Sequence, residues 1–323
     1  MTTRLFALAA LVKLCVHYRS LRRADLSMVA NNPQSPSFHV VGAMPLSLSV
    51  GTPHSILDQG STNPILFQLE HDGRPAGLWV MKAQCKMRHG GIDILRELAG
   101  TDLCALVGLS TPAVGLVRIP VDPPSTDDSH LGQRVANIYD KDRGKLAFCS
   151  AYVSAPRVDG QTLAPSQKQT RQTIRDAIAL FAIDALIWHH DRKPDNPNAL
   201  LYCQRVVPID HERAFFKINV PDESGCAPDY TLSADQDDMA QHIAANLAGQ
   251  HLDSPAWQEV LQAIERLTDQ EIQAMVAKWP DELDRNWAGE RVGWKDDFIR
   301  FIATRRMNAV SILEEARRAV AKG

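Results

Sequence analysis

The apolar positions of this 323-residue chain change their spacing about halfway along it. Up to residue 119 they form short runs of strand length, which Gly, Pro and Asp residues separate. These runs predict strands at residues 38–41, 65–69, 78–81 and 114–119. The tripeptide His71-Asp72-Gly73 predicts a tight turn between the second and third of these strands.

Helical spacing marks one segment inside this strand-rich part. Ile and Leu residues recur at helical intervals across residues 92–106, and Gly108 follows them. The pattern predicts one embedded helix that ends at this glycine. A loop is expected at residues 122–129, which are rich in Asp, Pro and Ser.

The second half of the chain has a mainly helical pattern. Residues 174–188 predict a strongly apolar helix, and residues 199–202 and 206–209 predict a hairpin after it. From 233 to 321 the pattern is amphipathic and helical. Four residues interrupt it: Gly249, Pro255, Pro280 and Gly289. A sheet-rich region before a larger helical one predicts an α+β fold in two lobes.

The composition near the amino terminus predicts a linker ahead of this domain. Residues 30–37 contain two Asn, two Pro and two Ser, as linkers do. We therefore predict a poorly ordered leader and linker over residues 1–37 and one domain over 38–323. Within that domain we place the first lobe at 38–147 and the hinge and helical lobe at 148–323.

An apolar run at residues 5–16 raises the alternative of a signal peptide or a membrane anchor. The run is shorter than the roughly 20 apolar residues that a spanning helix needs. Residues 17–23 after it are polar and basic, and they contain no A-x-A-like cleavage site. We therefore expect a cytoplasmic protein without a membrane partner.

The overall composition narrows the class of protein. Hydrophobic residues make up 45% and charged residues 23% of the chain, as in globular proteins. The formal net charge of −3 gives no sign of a nucleic-acid partner. The six cysteines form no C-x-x-C pair, so we expect reduced thiols rather than a zinc ribbon or a disulfide scaffold.

The clearest chemical signal is the segment His-His-Asp-Arg-Lys-Pro-Asp-Asn at residues 189–196. Asp191 and Asn196 are five positions apart, which is the spacing of the catalytic Asp and the metal-binding Asn in a kinase catalytic loop. The carboxylate can accept a proton from an acceptor hydroxyl, and the amide oxygen can bind Mg²⁺ without adding charge. Asp210 follows a strand-like run and can supply the charged magnesium ligand.

The strand-rich part contains the groups that would meet the phosphates of ATP. Lys82 ends a predicted strand, and Glu97 on the embedded helix can hold it as an ion pair. Gly60, Ser61 and Thr62 lie between strands and can direct backbone N–H groups and hydroxyls onto a phosphate. Taken singly, Lys82 and Glu97 are ordinary surface residues. The order of all these groups along the chain favours a nucleotide site.

These motifs together resemble the HipA-like kinases, which are distant relatives of protein and phosphoinositide kinases. The matching pieces cover about residues 38–220: G-S-T-N-P, W-V-M-K, R-E-L-A, L-V-G-L-S-T-P, D-R-K-P-D-N-P-N and P-I-D-H-E. The resemblance implies a two-lobed protein-kinase-like fold, with ATP and Mg²⁺ as cofactors and transfer of the γ-phosphate to a hydroxyl. It favours a protein Ser or Thr as the acceptor, in a toxin–antitoxin setting with an antitoxin-like partner.

The chain departs from the related kinases at three points. Lys193 stands where phosphoinositide kinases usually carry His, and His211-Glu212 stand where protein kinases carry Phe-Gly. The glycine loop contains no G-x-G-x-x-G. These departures affect the prediction of the acceptor more than the prediction of ATP use. A lipid headgroup or a small molecule stays open as the acceptor.

Two other interpretations stay open from the sequence. One is a pseudokinase, which would keep the fold and the nucleotide but not turn it over. The other is a metal-dependent phosphohydrolase, which would need a bound transition metal and an all-helical core. Its ligands would come from five residues: His189, His190, Asp191, Asp210 and His211.

Three further expectations depend on the kinase hypothesis. Residues 148–155 lie where the hinge between the lobes belongs, and their backbone would contact adenine. Ser61 and Thr62 are within reach of self-phosphorylation, and phosphate there would repel the nucleotide. Three hydroxyl residues fall where an activation segment would lie: Tyr230, Thr231 and Ser233.

Overall fold

The protein has an α+β fold, as the sequence predicts, with a sheet-rich first part and a helical second part. The computed structural model describes residues 45–57, 64–122, 129–158, 162–164, 167–215, 218, 239–285 and 289–321. The contacts of the chain divide it after Ser37, and all described residues belong to the second unit, Phe38–Gly323. The strand predicted at residues 38–41 lies outside the described residues.

Five strands form a closed barrel: β1 (Leu46–Ile56), β2 (Ile65–His71), β3 (Arg74–Lys82), β4 (Val114–Arg118) and β5 (Leu146–Ala151). Their order is β1-β2-β3-β5-β4, and a parallel pairing of β1 with β4 closes the barrel. The predicted turn joins β2 to β3, with His71 paired to Arg74. Asp72 and Gly73 between them have φ of 52° and 69°, as a two-residue hairpin turn of this kind requires.

Strand β1 is not among the predicted elements, and its irregular pairing explains why. Its register against β2 shifts between Val50 and Pro53 and again between Pro53 and Ser55, so the alternation of apolar and polar residues breaks. Gly51 lies at this irregularity, where a Cβ would collide with the carbonyl oxygen of Gln68. The glycine therefore permits the close approach of the two strands.

Two α-helices lie in the described residues of the sheet-rich part, whereas the sequence predicts one. The predicted helix is present as α1, Gly91–Leu106, and the additional helix is α2, His130–Asp142. Helix α2 begins after Ser129, whose hydroxyl accepts a hydrogen bond from Gly132 N–H at 3.1 Å. Its buried face adds three side chains to the barrel core: Val135, Ile138 and Tyr139. The N-cap Ser129 and the helical spacing of these apolar residues could have predicted this helix from the sequence.

The helical part contains six α-helices among the described residues: α3 (Arg171–Ile187), α4 (Ala245–Gln250), α5 (Ala256–Glu265), α6 (Asp269–Val276), α7 (Trp294–Met307) and α8 (Ala309–Val320). The predicted hairpin is also present, as β6 (Ala199–Tyr202) and β7 (Arg205–Pro208). Helix α3 is central, because it packs against α4, α5, α8 and β7. None of the helices described is long and apolar enough to cross a membrane.

The predicted helix boundaries in this region are partly wrong. Gly249 lies inside α4 instead of interrupting the pattern, and a Cβ there would lie 2.6 Å from the carbonyl oxygen of Val320. The absence of a side chain at Gly249 therefore allows α4 and α8 to pack closely. Helix α6 begins at a boundary that was not predicted, where Thr268 and Glu271 form a capping box.

Helix α1 joins the two parts of the fold. It lies between strands in the sequence, yet its buried residues Leu95 and Leu98 belong to the core of the helical part. Its first residue, Gly91, lies so close to Leu283 that a Cβ would be 2.6 Å from the carbonyl oxygen of that residue. This packing fixes the position of Glu97 in the middle of the helix.

The four cysteines in the described part of the chain, Cys85, Cys104, Cys149 and Cys203, are free thiols, in agreement with the prediction. Cys104 and Cys149 are buried in the two cores. They therefore behave as small apolar residues.

Candidate active site

A cleft of about 630 Å³ lies where the barrel meets the hairpin β6–β7. Most of its lining is apolar, with side chains from both regions: Val80, Val114, Phe148, Leu200 and Ile209. Among the charged residues of the lining, Lys82 contacts Glu97 and Asp210, and Arg157 is the fourth. A few polar groups in a mainly apolar lining are typical of pockets for small ligands.

The connection between the two parts of the fold forms another wall of this cleft. Strand β5 continues to Ala151, and Tyr152 N–H then donates a hydrogen bond to Leu78 O at 2.9 Å. Of the hinge predicted at residues 148–155, residues 148–151 belong to β5 and residues 152–155 follow it. The connection begins at Tyr152, and side chains between residues 152 and 157 line the cleft.

Lys82 is surrounded by three carboxylates from separate parts of the chain. Its Nζ lies 2.5 Å from Glu97 Oε1, 2.7 Å from Asp210 Oδ1 and 3.5 Å from Glu212 Oε2. Strand β3 places Lys82 at its last position, helix α1 places Glu97, and the turn after β7 places the other two. The predicted ion pair between Lys82 and Glu97 is thus present, and Arg96 is instead paired with Asp93.

Glu97 also holds the turn that contains Asp210. Its second oxygen, Oε2, accepts a hydrogen bond from His211 N–H at 2.8 Å. Gly100, one helical turn further on, allows this approach, because a Cβ there would lie 2.5 Å from His211 Cβ. Asp210 itself has φ of 61°, a left-handed conformation that Asp tolerates better than most residues.

The electrostatic state of this cluster follows from burial and from Lys82. Burial acts to lower the pKa of Lys82, but Asp210, Glu97 and Glu212 outweigh it and hold that pKa well above its ordinary value. Burial would raise the pKa of Asp210, yet the nearby ammonium keeps it below its ordinary value. Burial dominates at the other two carboxylates, which raises the pKa of Glu97 and brings that of Glu212 to about 7.

Asp191 and Asn196 form a second group, and neither residue is part of the lining of the cleft. Asn196 Nδ2 donates a hydrogen bond to Asp191 Oδ2 at 2.9 Å, and the backbones of Lys193 and Asn196 exchange bonds of 3.0 and 3.2 Å. Asn198 Nδ2 lies 3.4 Å from the same oxygen, and Arg213 Nη1 lies 3.7 Å from Asp191 Oδ1. Because Asn196 uses its amino group on Asp191, its amide oxygen points away from that carboxylate and can serve a cation.

The structure therefore brings the predicted site residues into two directly bonded groups, Lys82 with Glu97 and Asp210, and Asp191 with Asn196. A backbone hydrogen bond connects the segments that carry the two groups: Ile209 N–H donates to Asn198 O at 3.0 Å. Two sets of predicted residues lie outside the described part of the chain: Gly60, Ser61 and Thr62, and Tyr230, Thr231 and Ser233.

Sequence reasoning missed three charged residues at this site. Glu212 is the third carboxylate at Lys82, and Arg192 and Asp184 form a fully buried ion pair of 2.7 Å beneath the loop. A signal for this pair existed, because Asp184 interrupts the apolar run of helix α3. A carboxylate in such a position requires a buried partner, although the sequence does not indicate which one.

The described residues do not support the metal ligands that a phosphohydrolase would need. Within the described part of the chain, one group of potential ligands has its atoms within 4.8 Å of one another, and it consists of Glu97, Asp210 and Glu212. Of the five ligands that this interpretation needs, the group contains only Asp210. His189 and His211 are buried and pack with ring centroids 5.8 Å apart. The five-stranded barrel also differs from the all-helical core that this interpretation predicts.

Comparison of the sequence with models of known protein families and with curated proteins gave no match. The chemistry of the site is therefore inferred from its own side chains. These are a buried cation in a cleft, oxygen donors on two adjacent loops, and a carboxylate that a neighbouring amide orients.

Proposed function

We propose that this chain is an ATP- and Mg²⁺-dependent kinase with a two-lobed, protein-kinase-like fold, related to the HipA-like kinases. One observation carries the proposal: Lys82, Glu97 and Asp210 meet in a cleft, although Lys82 and Asp210 are 128 positions apart. The order of elements also supports it, because a strand with Lys, a helix with Glu, a loop with Asp and Asn and a strand followed by Asp recur in kinases.

The residues present suit magnesium and ATP. The donors available for a cation, the Asn196 amide and the Asp210 carboxylate, are oxygens, which Mg²⁺ prefers. The apolar lining of the cleft suits a base, and its volume of about 630 Å³ is in the general range of pockets for small molecules and cofactors. Bound magnesium would neutralise charge on the phosphates of ATP.

The side chains of the chain would then divide the work as follows. Lys82 would donate to the phosphates while Glu97 keeps its ammonium in place, because an ammonium has three N–H donors. Asp191 would orient the acceptor hydroxyl and accept its proton. Asn196 and Asp210 would hold the metal. Catalysis in this scheme consists mainly of positioning and charge neutralisation.

The acceptor and the setting are proposed from the resemblance to HipA-like kinases. A protein Ser or Thr is the favoured acceptor, and a cytoplasmic location with an antitoxin-like partner belongs to the same proposal. Self-phosphorylation at Ser61 or Thr62 would show a hydroxyl acceptor without a partner protein.

The test is incubation of the full chain with Mg²⁺ and ATP labelled on the γ-phosphate. We expect label on the protein or in released phosphate, and we expect its loss in Asp191→Asn. Binding of Mg²⁺-ATP without any transfer would favour the pseudokinase. The absence of both binding and transfer would contradict the proposed function.

A further inference from the structure

Arg192 is a fully buried arginine that contacts both loops of the proposed site. Its Nη1 donates to the carbonyl oxygen of Asn198, in the loop of Asp191, and to that of Ile209 at 2.9 Å. Its Nη2 donates to His211 Nδ1 at 3.0 Å. One guanidinium thus holds the loop of Asn196 and the residues on both sides of Asp210.

Asp184 compensates the charge of this guanidinium. Its Oδ2 lies 2.7 Å from Arg192 Nε, and both side chains are fully buried. Burial would raise the pKa of Asp184, but Arg192 and His189 hold it well below its ordinary value. The aspartate is therefore ionised, and the pair remains charged inside the helical core.

Residues 242–244 hold this pair from the other side. Ala244 N–H donates to His242 Nδ1 at 3.1 Å, which leaves the ring proton on Nε2. That nitrogen lies 3.0 Å from Asp184 Oδ2 and donates to it. Ile243 N–H donates to the backbone oxygen of Arg192 at 2.9 Å. The arginine is therefore fixed at both its side chain and its backbone.

We propose that Arg192 is a positioning residue that sets the separation of the two magnesium-binding side chains, Asn196 and Asp210. Asp184 binds its guanidinium, and His242 in turn holds the Asp184 carboxylate in place. This inference rests on the proposed kinase function. A residue that orients metal ligands acts through them, and its replacement weakens metal binding without removing a ligand.

Physical reasoning favours this role over a purely stabilising one. Burial of an ion pair is costly, and apolar residues of the same volume are often as stable. A guanidinium, however, presents its donors in a fixed fork, which specifies the relative positions of the acceptors it binds. The acceptors here belong to the two loops that must meet one metal ion. Stability alone does not require that arrangement.

Arg305 provides a matched control in the same region. It is also buried, and it donates to Leu186 O at 2.9 Å and Ala185 O at 2.8 Å. These carbonyls lie at the end of helix α3, outside both loops of the site. Both arginines are therefore buried and donate to backbone carbonyl groups, but only Arg192 binds the two loops of the site.

The experiment measures ATP binding by calorimetry, with and without Mg²⁺, on the wild type, Arg192→Lys and Arg305→Lys. A lysine keeps the charge beside Asp184 but loses the fork. For Arg192→Lys we expect unchanged affinity for ATP without Mg²⁺ and a loss of about 10–100-fold in the affinity gained from Mg²⁺. For Arg305→Lys we expect a lower melting temperature and the full gain from Mg²⁺.

The outcomes separate this inference from the proposed function. If the wild type gains affinity from Mg²⁺ and Arg192→Lys gains as much, the positioning role is wrong and the kinase proposal stands. An equal loss in Arg305→Lys would also overturn it, because the effect would then come from general destabilisation. If the wild type binds no ATP, the kinase proposal fails first, and this inference fails with it.

A second variant covers the case in which Arg192→Lys does not fold. The double variant Asp184→Asn/Arg192→Gln removes both buried charges together and leaves neither unpaired. We expect the same loss of the magnesium-dependent gain in this protein. Retention of the full gain would overturn the inference.

Discussion

Lys82 Nζ lies 2.7 Å from Asp210 Oδ1, although 128 positions separate these residues in the chain. The contact joins the last residue of strand β3 to the turn after strand β7. Glu97 accepts hydrogen bonds from Lys82 Nζ and from His211 N–H in that turn. Three separate elements of the fold therefore hold the charged cluster together. In the proposed kinase, groups positioned in this way would stabilise the charge of the phosphoryl group.

Replacement of Lys82 tests this cluster. We expect Lys82→Met to lower turnover about 10²–10³-fold, because the cation at the phosphates is lost. We also expect the free energy of unfolding to fall by up to about 3–5 kcal/mol, because buried Glu97 loses its partner. Phosphate release and urea denaturation measure the two effects.

The double variant Lys82→Met/Glu97→Gln is the control for stability. It should recover part of the lost unfolding free energy, since no buried carboxylate remains unpaired at residue 97, but none of the turnover. Recovery of both properties would contradict a role of Lys82 at the phosphates.

Asp191 should affect turnover without affecting binding. We expect Asp191→Asn to lower the rate of phosphoryl transfer about 10²–10⁴-fold, because the amide cannot accept the proton of the acceptor. The affinity for Mg²⁺-ATP should stay near that of the wild type, because the metal ligands remain. Equal rates in the variant and the wild type would exclude the proposed role of Asp191.

Gly100 should be intolerant of a side chain. A Cβ at this position would lie 2.5 Å from both Cβ and Cγ of His211. We expect Gly100→Ala to destabilise the protein by about 1–3 kcal/mol, although alanine in a helix is favoured by about 1 kcal/mol over glycine. Thermal unfolding measures the change. The combination with His211→Gly should relieve it, because glycine removes both the Cβ and the ring that the new methyl group would meet. Strictly additive effects would show that the two residues are not coupled.

Two buried histidines predict a loss of stability in acid. Burial lowers the pKa of His211 and of His242, with Arg192 adding to the effect at both and Asp184 opposing it. Both are therefore neutral in the folded protein, while in the unfolded chain they bind protons below about pH 6.5. The stabilisation is complete above that pH and is lost as the pH falls below it.

Urea denaturation between pH 8 and pH 5.5 measures this effect. We expect each histidine to lower the free energy of unfolding by about 1.4 kcal/mol per pH unit in the acid part of the range. The raised pKa values of Glu97 and Glu212 act in the opposite direction, so the test compares the wild type with His242→Gln. The variant should lose less stability per pH unit on acidification, and an equal pH dependence of the two proteins would contradict a neutral, buried His242.

The elements with a regular pattern were predictable from the sequence. Helices α1 and α3, strands β2 and β3 and the hairpin β6–β7 lie within a few residues of their predicted positions. Local spacing determines such elements, because one face of each is buried. Strand β1 was not predictable in the same way, since its bulges disrupt the alternation that identifies a strand.

The candidate site was predictable to a similar extent. The order of the motifs assigned Lys82 and Asp210 to one predicted nucleotide site, and the structure places them in contact. The network of Arg192, Asp184 and His242 was not predictable, because Asp184 and His242 are 58 positions apart and no local pattern connects them. Their roles in binding and transfer remain predictions.

The most direct test of the kinase proposal is calorimetric ATP binding, with and without Mg²⁺, on the wild type and Asp210→Asn. Asparagine suits this position, because it tolerates the left-handed backbone of Asp210, with its φ of 61°. Asp195→Asn is the matched control, since Asp195 is exposed in the neighbouring loop. We predict Mg²⁺-dependent binding in the wild type and in Asp195→Asn, and its loss in Asp210→Asn. Absence of ATP binding by the wild type under either condition would contradict the proposal.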